Sequence, residues 1–289
     1  MAAMARQIVD EDLLGEPEFA RVAKFIQDTT GIKVPPGKKL MVEGRLRKRV
    51  RALGLASLDD YCKMVFERGG FDQESTYLIN AVTTNKTDFF REPSHFTFLR
   101  EVVLPEARDL GIGFNTPFTA WSAASSIGAE PYTLAMVLAD FAQADERWRF
   151  SVLASDISTD VLTKAAKAIY SEEQIEPVPM EMRKRYLLRS IDPAKKLVRI
   201  APELRRTLSF FRLNLMDGSY PVDRAVDVIF CRNILIYFDN KTQEQVIDRL
   251  VRHLRPGGYL FLGHTEGLSG KSSSRLTWRG DSVFQKDAS

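Results

Sequence analysis

Residues 121–132 read Trp121-Ser-Ala-Ala-Ser-Ser-Ile-Gly128-Ala-Glu130-Pro-Tyr132, and this stretch decides the fold class. It joins an apolar run, Phe118 to Ser122, to a segment whose Pro131 suits the opening turn of a helix. A strand feeding a helix through a turn of small residues is the first half of a βαβ unit, where a ligand approaches the turn backbone closely. Only Gly128 in the turn is glycine, so the stretch is not the G-x-G-x-x-G loop that binds a pyrophosphate. A compact, cationic amino-acid group fits a loop ending in Glu130 better.

Working outward, the same alternation continues. Phe150 to Ser155, Leu208 to Leu213, Val226 to Cys231 and Tyr259 to Leu262 read as further strands, and Ser282 to Gln285 closes the sheet. A helix is expected over Asp160 to Tyr170. The stretch of about forty residues after it is too long for a plain connection. There Tyr186-Leu-Leu-Arg189 and Leu197-Val-Arg-Ile200 are expected to pair as a hairpin over Asp192-Pro193.

Upstream of Gly111-Ile-Gly113 the pattern is helical. Phe19, Val22, Ala23 and Ile26 share one face, and Gly31 with Pro35-Pro36 stops that helix. In the next helix Val42, Leu46, Val50 and Leu53 form a narrow stripe, with Lys38, Arg45, Arg47, Lys48, Arg49 and Arg51 around the rest. Ser57 and Asp60 resemble a capping box, and a fourth helix runs through Tyr77, Leu78 and Val82. The expected organisation is a helical domain over 16–90, a linker and connecting helix over 91–116, and an α/β domain over 117–289 with a β insert at 179–206.

Composition bounds the function. With 44% hydrophobic and 27% charged residues in 289, the chain is an ordinary globular protein. No apolar window reaches the roughly 20 residues of a membrane span and the first residues lack a signal-peptide core, so a cytoplasmic protein without membrane insertion is expected. Cys62 and Cys231 lie far apart, and His95, His253 and His264 have no ligand spacing; neither disulfide nor metal is expected. Net charge is +3, but Lys38 to Arg51 holds seven basic residues against one acid, and Glu181 to Arg206 nine against three. Charge concentrated in this way suits steering toward an acidic partner rather than coating nucleic acid.

Open parallel sheets bind ligands beyond the carboxyl ends of their strands. Asp156 ends the second strand, where a carboxylate accepts from both hydroxyls of a ribose or caps the next helix. Asn214-Leu215 follows the third and suits an adenine, or is simply a turn. Cys231-Arg232-Asn233-Ile-Leu-Ile-Tyr237 ends the fourth.

The segments TTNKTDFFRE (83–92), WSAASSIGAEPY (121–132), ASDIS (154–158), FFRLNLMD (210–217), CRNILIYFD (231–239) and GHTEGL (263–268) together resemble the bacterial chemotaxis receptor glutamate methyltransferases, over about Phe19 to Gln285. The departures are mild, with Ala129 at an often acidic position and Ser125-Ser126 in place of an Ala/Gly-type pair. The resemblance implies a class I, Rossmann-like S-adenosylmethionine-dependent methyltransferase sheet with a small antiparallel β insert, preceded by a small all-α domain. It implies a pocket lined by Asn85, Thr87, Arg91, Glu130, Asp156, Asn214, Leu215, Arg232 and Asn233, with Arg91 and Tyr237 nearest the transferred methyl. S-adenosylhomocysteine is the product and no metal is called for.

Under that reading a receptor glutamate, ionised at neutral pH, needs no general base. The acidic helical bundle of a methyl-accepting receptor is expected to dock on Lys38 to Arg51. The family's peptide-gripping insert carries a glycine-rich turn, whereas Ser190 to Lys195 has no glycine, so no receptor-tail tether is expected. A monomer is the default. The rivals are a nucleic-acid or small-molecule methyltransferase of the same fold, against which Asn233-Ile-Leu-Ile stands in place of a Pro-Pro-aromatic tetrad, and a non-catalytic S-adenosylmethionine-binding adaptor.

Overall fold

The computed structural model describes residues 12–83, 85–223, 225–268 and 274–288. It divides into two compact units, Met1–Thr84 and Asn85–Ser289.

In the first unit, α1 (Glu16–Thr30) has Pro17 in its opening turn and ends on Gly31 at φ 73°, a left-handed cap that suits glycine. Helix α2 (Lys39–Ala52) follows, then α3 (Leu58–Glu67) and α4 (Phe71–Val82). The Ser57 side chain accepts the Asp60 N–H at 3.0 Å and so caps α3. Phe19, Val22, Ile26, Val42, Leu46, Val50, Tyr61, Val65 and Leu78 form the core. Leu53, expected in the α2 stripe, is 38% exposed because the helix has ended at Ala52.

The cations of α2 are not a uniform basic face. Arg45 donates to the carbonyls of Ala81 and Thr83, and Arg47 to that of Asp12. Arg49 holds buried Glu74 with two bonds of 2.8 and 2.7 Å, and Tyr61 Oη donates to the same carboxylate. These guanidinium groups satisfy carbonyls and an acid that packing would otherwise strand. Leu40, Gly44, Lys48, Arg51 and Ala52 are the exposed positions along the helix.

The second unit opens with α5 (Pro93–Phe98), a π-helical stretch (Leu99–Val103) and α6 (Leu104–Asp109). Pro105 lacks the N–H that an unbroken α-helix would need, and the wider π turn absorbs the mismatch. Residues 85–90, expected with the helical domain, pack in this unit instead. Buried Phe89 meets the Tyr170 ring edge-on at 4.9 Å, and the Phe90 N–H donates to Thr133 Oγ1.

The sheet is built from β1 (Phe118–Ala123), α7 (Ala129–Ala142), β2 (Phe150–Asp156), α8 (Thr159–Lys167), β6 (Leu208–Arg212), β7 (Val226–Cys231), α11 (Asn240–His253), β8 (Leu254–Leu262), β9 (Leu276–Gly280) and β10 (Val283–Lys286). Its order is β6-β2-β1-β7-β8-β10-β9. The pairs within β6-β2-β1-β7-β8 are parallel and β10 runs antiparallel to β8 and β9. Strands β1 and β7 are buried at every residue, as sheet strands covered on both faces must be. Between them the chain order reverses, which is where such sheets take ligands.

Three local expectations change. Helix α7 begins at Ala129, so Pro131 is its third residue rather than its first. Helix α8 ends at Lys167, because Ala168 turns left-handed at φ 56° and releases Ile169–Ser171 as strand β3. With β4 (Leu187–Arg189) and β5 (Leu197–Ile200), and the short helices α9 (Met180–Tyr186) and α10 (Pro202–Arg205) around them, it makes a three-stranded insert of order β3-β5-β4. Strand β9 was not expected: Thr277, Trp278 and Arg279 are all exposed at the sheet edge, leaving no apolar alternation to read.

Candidate active site

The β1–α7 turn is shaped by two residues in the left-handed region, Ser126 at φ 49° and Gly128 at φ 95°. A Cβ on Gly128 would stand 2.8 Å from Tyr170 Oη and 2.9 Å from Ala165 Cβ, so space as well as torsion requires glycine. The Ser126 N–H donates to Asp156 Oδ2 at 2.9 Å, and the Ser158 N–H to Asp156 Oδ1 at 2.9 Å. Asp156 therefore ties the ends of β1 and β2 together while remaining part-exposed. Burial pushes its carboxyl up from the ordinary value, against the backbone N–H groups of Ser158, Ser126 and Ile157.

Glu130 stands in the first turn of α7, where the helix dipole favours an acid. Its Oε1 accepts from Ser122 Oγ and its Oε2 from Arg232 Nε, each at 2.7 Å. The Arg232 side chain is 2% exposed. Its Nη1 donates to the Arg91 carbonyl at 2.8 Å and lies 3.3 Å from Glu92 Oε2 and 3.1 Å from His95 Nδ1. The guanidinium also lies 5.2 and 5.4 Å from the ring centres of Phe96 and Phe230. Arg232 is thus a strut that gathers Glu130, Arg91 and Glu92.

Asn233 follows at φ 58°, its side-chain amide donating to Glu92 Oε1 at 3.1 Å. Burial pushes the Glu92 carboxyl up, but the Asn233 amide and the Arg232 charge outweigh it and hold it below the ordinary value. His95 is fixed as one tautomer by its partners: Nε2 donates to the Asp281 carbonyl at 2.6 Å, leaving Nδ1 to accept from Arg232. Burial, joined by the Arg232 charge, holds His95 below its ordinary value. The donor atoms of Glu92, His95 and His264 lie within 4.8 Å of one another, a spacing a metal could use. Arg232 already brings a cation to Glu92 and His95.

At the end of β6, Asn214 Oδ1 accepts the Met216 N–H at 3.0 Å, and the Leu215 carbonyl accepts from Tyr220 Oη and Arg249. Past β7, Tyr237 ends the single 3-10 turn Leu235–Tyr237 and is half-buried. Asn85 and Thr87 are half-buried in the segment leading to Arg91, with the Asn85 carbonyl accepting from Ser126 Oγ. The Arg91 guanidinium has a long 3.5 Å contact to the Lys86 carbonyl.

The expected residues accordingly fall on the ends of β1, β2, β6 and β7 and on the 85–92 segment. Sequence reasoning passed over Glu92, His95 and Glu266. Glu92 and Glu266 lay inside quoted motifs without a role; the signal for them is spatial, since they join segments far apart in the chain. Phe90, Glu92, Ser126 and Asn233 are all non-glycine residues at positive φ, and such torsions collect at functional sites.

A sheet of this order, with an acid ending its second strand and an amide after β6, defines a class I S-adenosylmethionine-dependent methyltransferase fold. Residues 17–83 match the all-alpha domain of CheR methyltransferases, and residues 85–282 the SAM binding domain of CheR methyltransferases. The chain is 38% identical over 279 residues to the chemotaxis protein methyltransferase of Escherichia coli K12, and 39% identical over 279 residues to that of Salmonella typhimurium; each alignment covers 96% of this chain and 93% of the relative. Identity to chemotaxis protein methyltransferase 2 of Pseudomonas aeruginosa is 35% over 249 residues, 86% of each chain. The chain belongs to the CheR methyltransferase family.

The donor set fits S-adenosylmethionine. It offers a carboxylate for an ammonium, a second for a diol and an amide beside a leucine for a base, in the order in which the strand ends follow across the sheet. Among the described residues no helix is long and apolar enough to cross a membrane.

Proposed function

We propose that this protein is a cytoplasmic glutamate O-methyltransferase that esterifies glutamate side chains on chemotaxis receptors, forming S-adenosylhomocysteine as co-product. The observation that carries the reading is that Glu130, Asp156, Asn214 and the 231–237 turn all follow the carboxyl ends of the neighbouring parallel strands β1, β2, β6 and β7, in a chain of this family. Bound S-adenosylmethionine supplies the activated sulfonium methyl. Asp156 takes the ribose hydroxyls, Asn214 and Leu215 the adenine, and Glu130 the amino-acid end, with Asn85, Thr87 and Asn233 lining the pocket. Arg232 acts from beneath by fixing Glu130.

The acceptor glutamate, with an ordinary pKa of about 4.3, arrives as a carboxylate and needs no base. Arg91 orients it. A bidentate pair would withdraw nucleophilicity, so a single bond from the weakly tethered guanidinium suits the task. Tyr237 steadies the acceptor, and the protein's contribution is alignment and exclusion of water.

The partner is the acidic helical bundle of the receptor, met by the outward face of α2. Lys48 and Arg51 are its exposed cations, whereas Arg45, Arg47 and Arg49 are committed inside the unit. The hairpin turn between β4 and β5 has the left-handed Lys196 at φ 47° where a glycine would be at ease, which supports a member that works without a receptor-tail tether.

The test is incubation with radiolabelled S-adenosylmethionine and receptor-containing membranes. Label released as methanol by mild base identifies a carboxyl methyl ester; base-stable label points to N-methylation, and no label at all to a binding adaptor.

A further inference from the structure

Glu266 is 7% exposed and lies just beyond β8, yet its carboxylate serves a different segment. Oε2 accepts the N–H of Asn233 at 2.8 Å and of Gly263 at 2.7 Å, while Oε1 accepts those of Leu235 at 2.7 Å and Ile236 at 3.3 Å. Among the described residues no ion pair reaches it; backbone N–H groups are its partners, and burial still pushes the carboxyl above its ordinary value. Bonds from N–H groups to an ionised acceptor are the strong kind; three of them hold the turn and the fourth ties it to the end of β8.

A second observation points to the same joint. A Cβ on Gly263 would lie 2.6 Å from Asn233 Nδ2, 2.9 Å from Glu266 Oε2 and 3.0 Å from the Asn233 nitrogen. The end of β8 therefore approaches the turn as closely as the chain allows, and only glycine permits it. Asn233 is held in the left-handed region by this clamp on its backbone and by Glu92 on its side chain. A torsion of that kind persists only where its surroundings over-determine it.

We infer that Glu266 is a positioning residue for methyl transfer: by clamping the backbone of residues 233–236 it fixes the 3-10 turn that carries Tyr237. The inference rests on the reading of Tyr237 as the group that steadies the acceptor. Glutamine in place of Glu266 would turn a donor toward backbone N–H groups and release part of the turn, displacing Tyr237 without touching Asp156 or Asn214. A displacement of about 1 Å costs roughly 100-fold in an aligned displacement reaction.

The experiment measures kcat and KM for receptor-containing membranes, and S-adenosylhomocysteine affinity by calorimetry, for Glu266→Gln, Gly263→Ala, Tyr237→Phe and the Glu266→Gln/Tyr237→Phe double variant. Expected are a fall of roughly 10- to 100-fold in kcat for Glu266→Gln and Gly263→Ala, with KM for the receptor within about threefold of the parent (~0.65 kcal/mol) and a loss of ligand affinity, through the Asn233 that lines the pocket, several times smaller than the loss in kcat. The double variant should be little slower than Tyr237→Phe, because two changes acting through one group do not add. Full turnover in Glu266→Gln, a loss accounted for by weakened ligand binding, or fully multiplicative effects would overturn the inference. Should Glu266→Gln fail to fold, Gly263→Ala carries the same comparison with Tyr237→Phe, since it keeps the carboxylate and only spreads the joint. If Tyr237→Phe is itself fully active, the reading of Tyr237 fails, an outcome visible apart from the clamp.

Discussion

Arg91 and Arg232 are both arginines from quoted motifs, and their surroundings give them opposite duties. Arg232 is enclosed by two acids, a carbonyl, a histidine and two rings, so it cannot turn toward a substrate. Among the described residues the Arg91 guanidinium makes one long contact, to the Lys86 carbonyl. Arg91→Ala should therefore lower turnover by roughly 100-fold, the scale for losing one positioned donor, while S-adenosylhomocysteine affinity stays within about threefold (~0.65 kcal/mol) by calorimetry; loss of binding would make Arg91 purely a cofactor ligand. His95 adds a pH dependence. Its folded pKa lies below the ordinary value of about 6.5. The neutral ring is thus favoured in the folded state, and its contribution to stability is complete above that ordinary value and is lost as pH falls through the folded one. Facing it are Arg232, Glu92, His264 and the Asp281 carbonyl, and a proton on Nδ1 would oppose Arg232. Thermal midpoints measured from pH 8 to pH 5 should drop on the acid side, and His95→Gln should flatten that drop.

Among the elements, the β1–α7 turn shows best why a pattern of small residues was informative. Gly128 is where torsion and space both exclude a side chain, and the helix it opens brings Glu130 to Arg232. Gly128→Ala should destabilise the fold by about 2 kcal/mol or more, read as a lowered urea midpoint with an unchanged slope. The strands were legible because β1 and β7, buried at every residue, are short and mostly apolar. Strand β3 was not, since Ile169 and Tyr170 continue the apolar face of α8 and only pairing with β5 distinguishes strand from helix there. Strand β9 was hidden for the opposite reason: an exposed edge strand carries no burial pattern.

For the molecule as a whole, net charge of +3 says little, and the distribution of cations says more. Composition marked Lys38 to Arg51 as a basic surface, but packing spends Arg45, Arg47 and Arg49 on internal partners and leaves Lys48 and Arg51 outward. Lys48→Glu with Arg51→Glu should slow receptor methylation at low ionic strength by roughly 10-fold and reduce its salt dependence, because steering by exposed charge is screened over about 10 Å at 0.1 M salt. Unchanged initial rates at low salt would remove this face from docking. The sequence by itself determined the α/β class, the helical first unit, the family, and the strand-end acids and amides, because apolar periodicity and motif spacing are local properties of the chain. Only the tertiary structure decided that Arg232 is a strut, that Glu92 and Glu266 hold the 231–237 turn, and that half the cations of α2 face inward. Those roles depend on contacts between residues 25 to 141 positions apart, and no local pattern encodes which distant carbonyl or acid a side chain will meet.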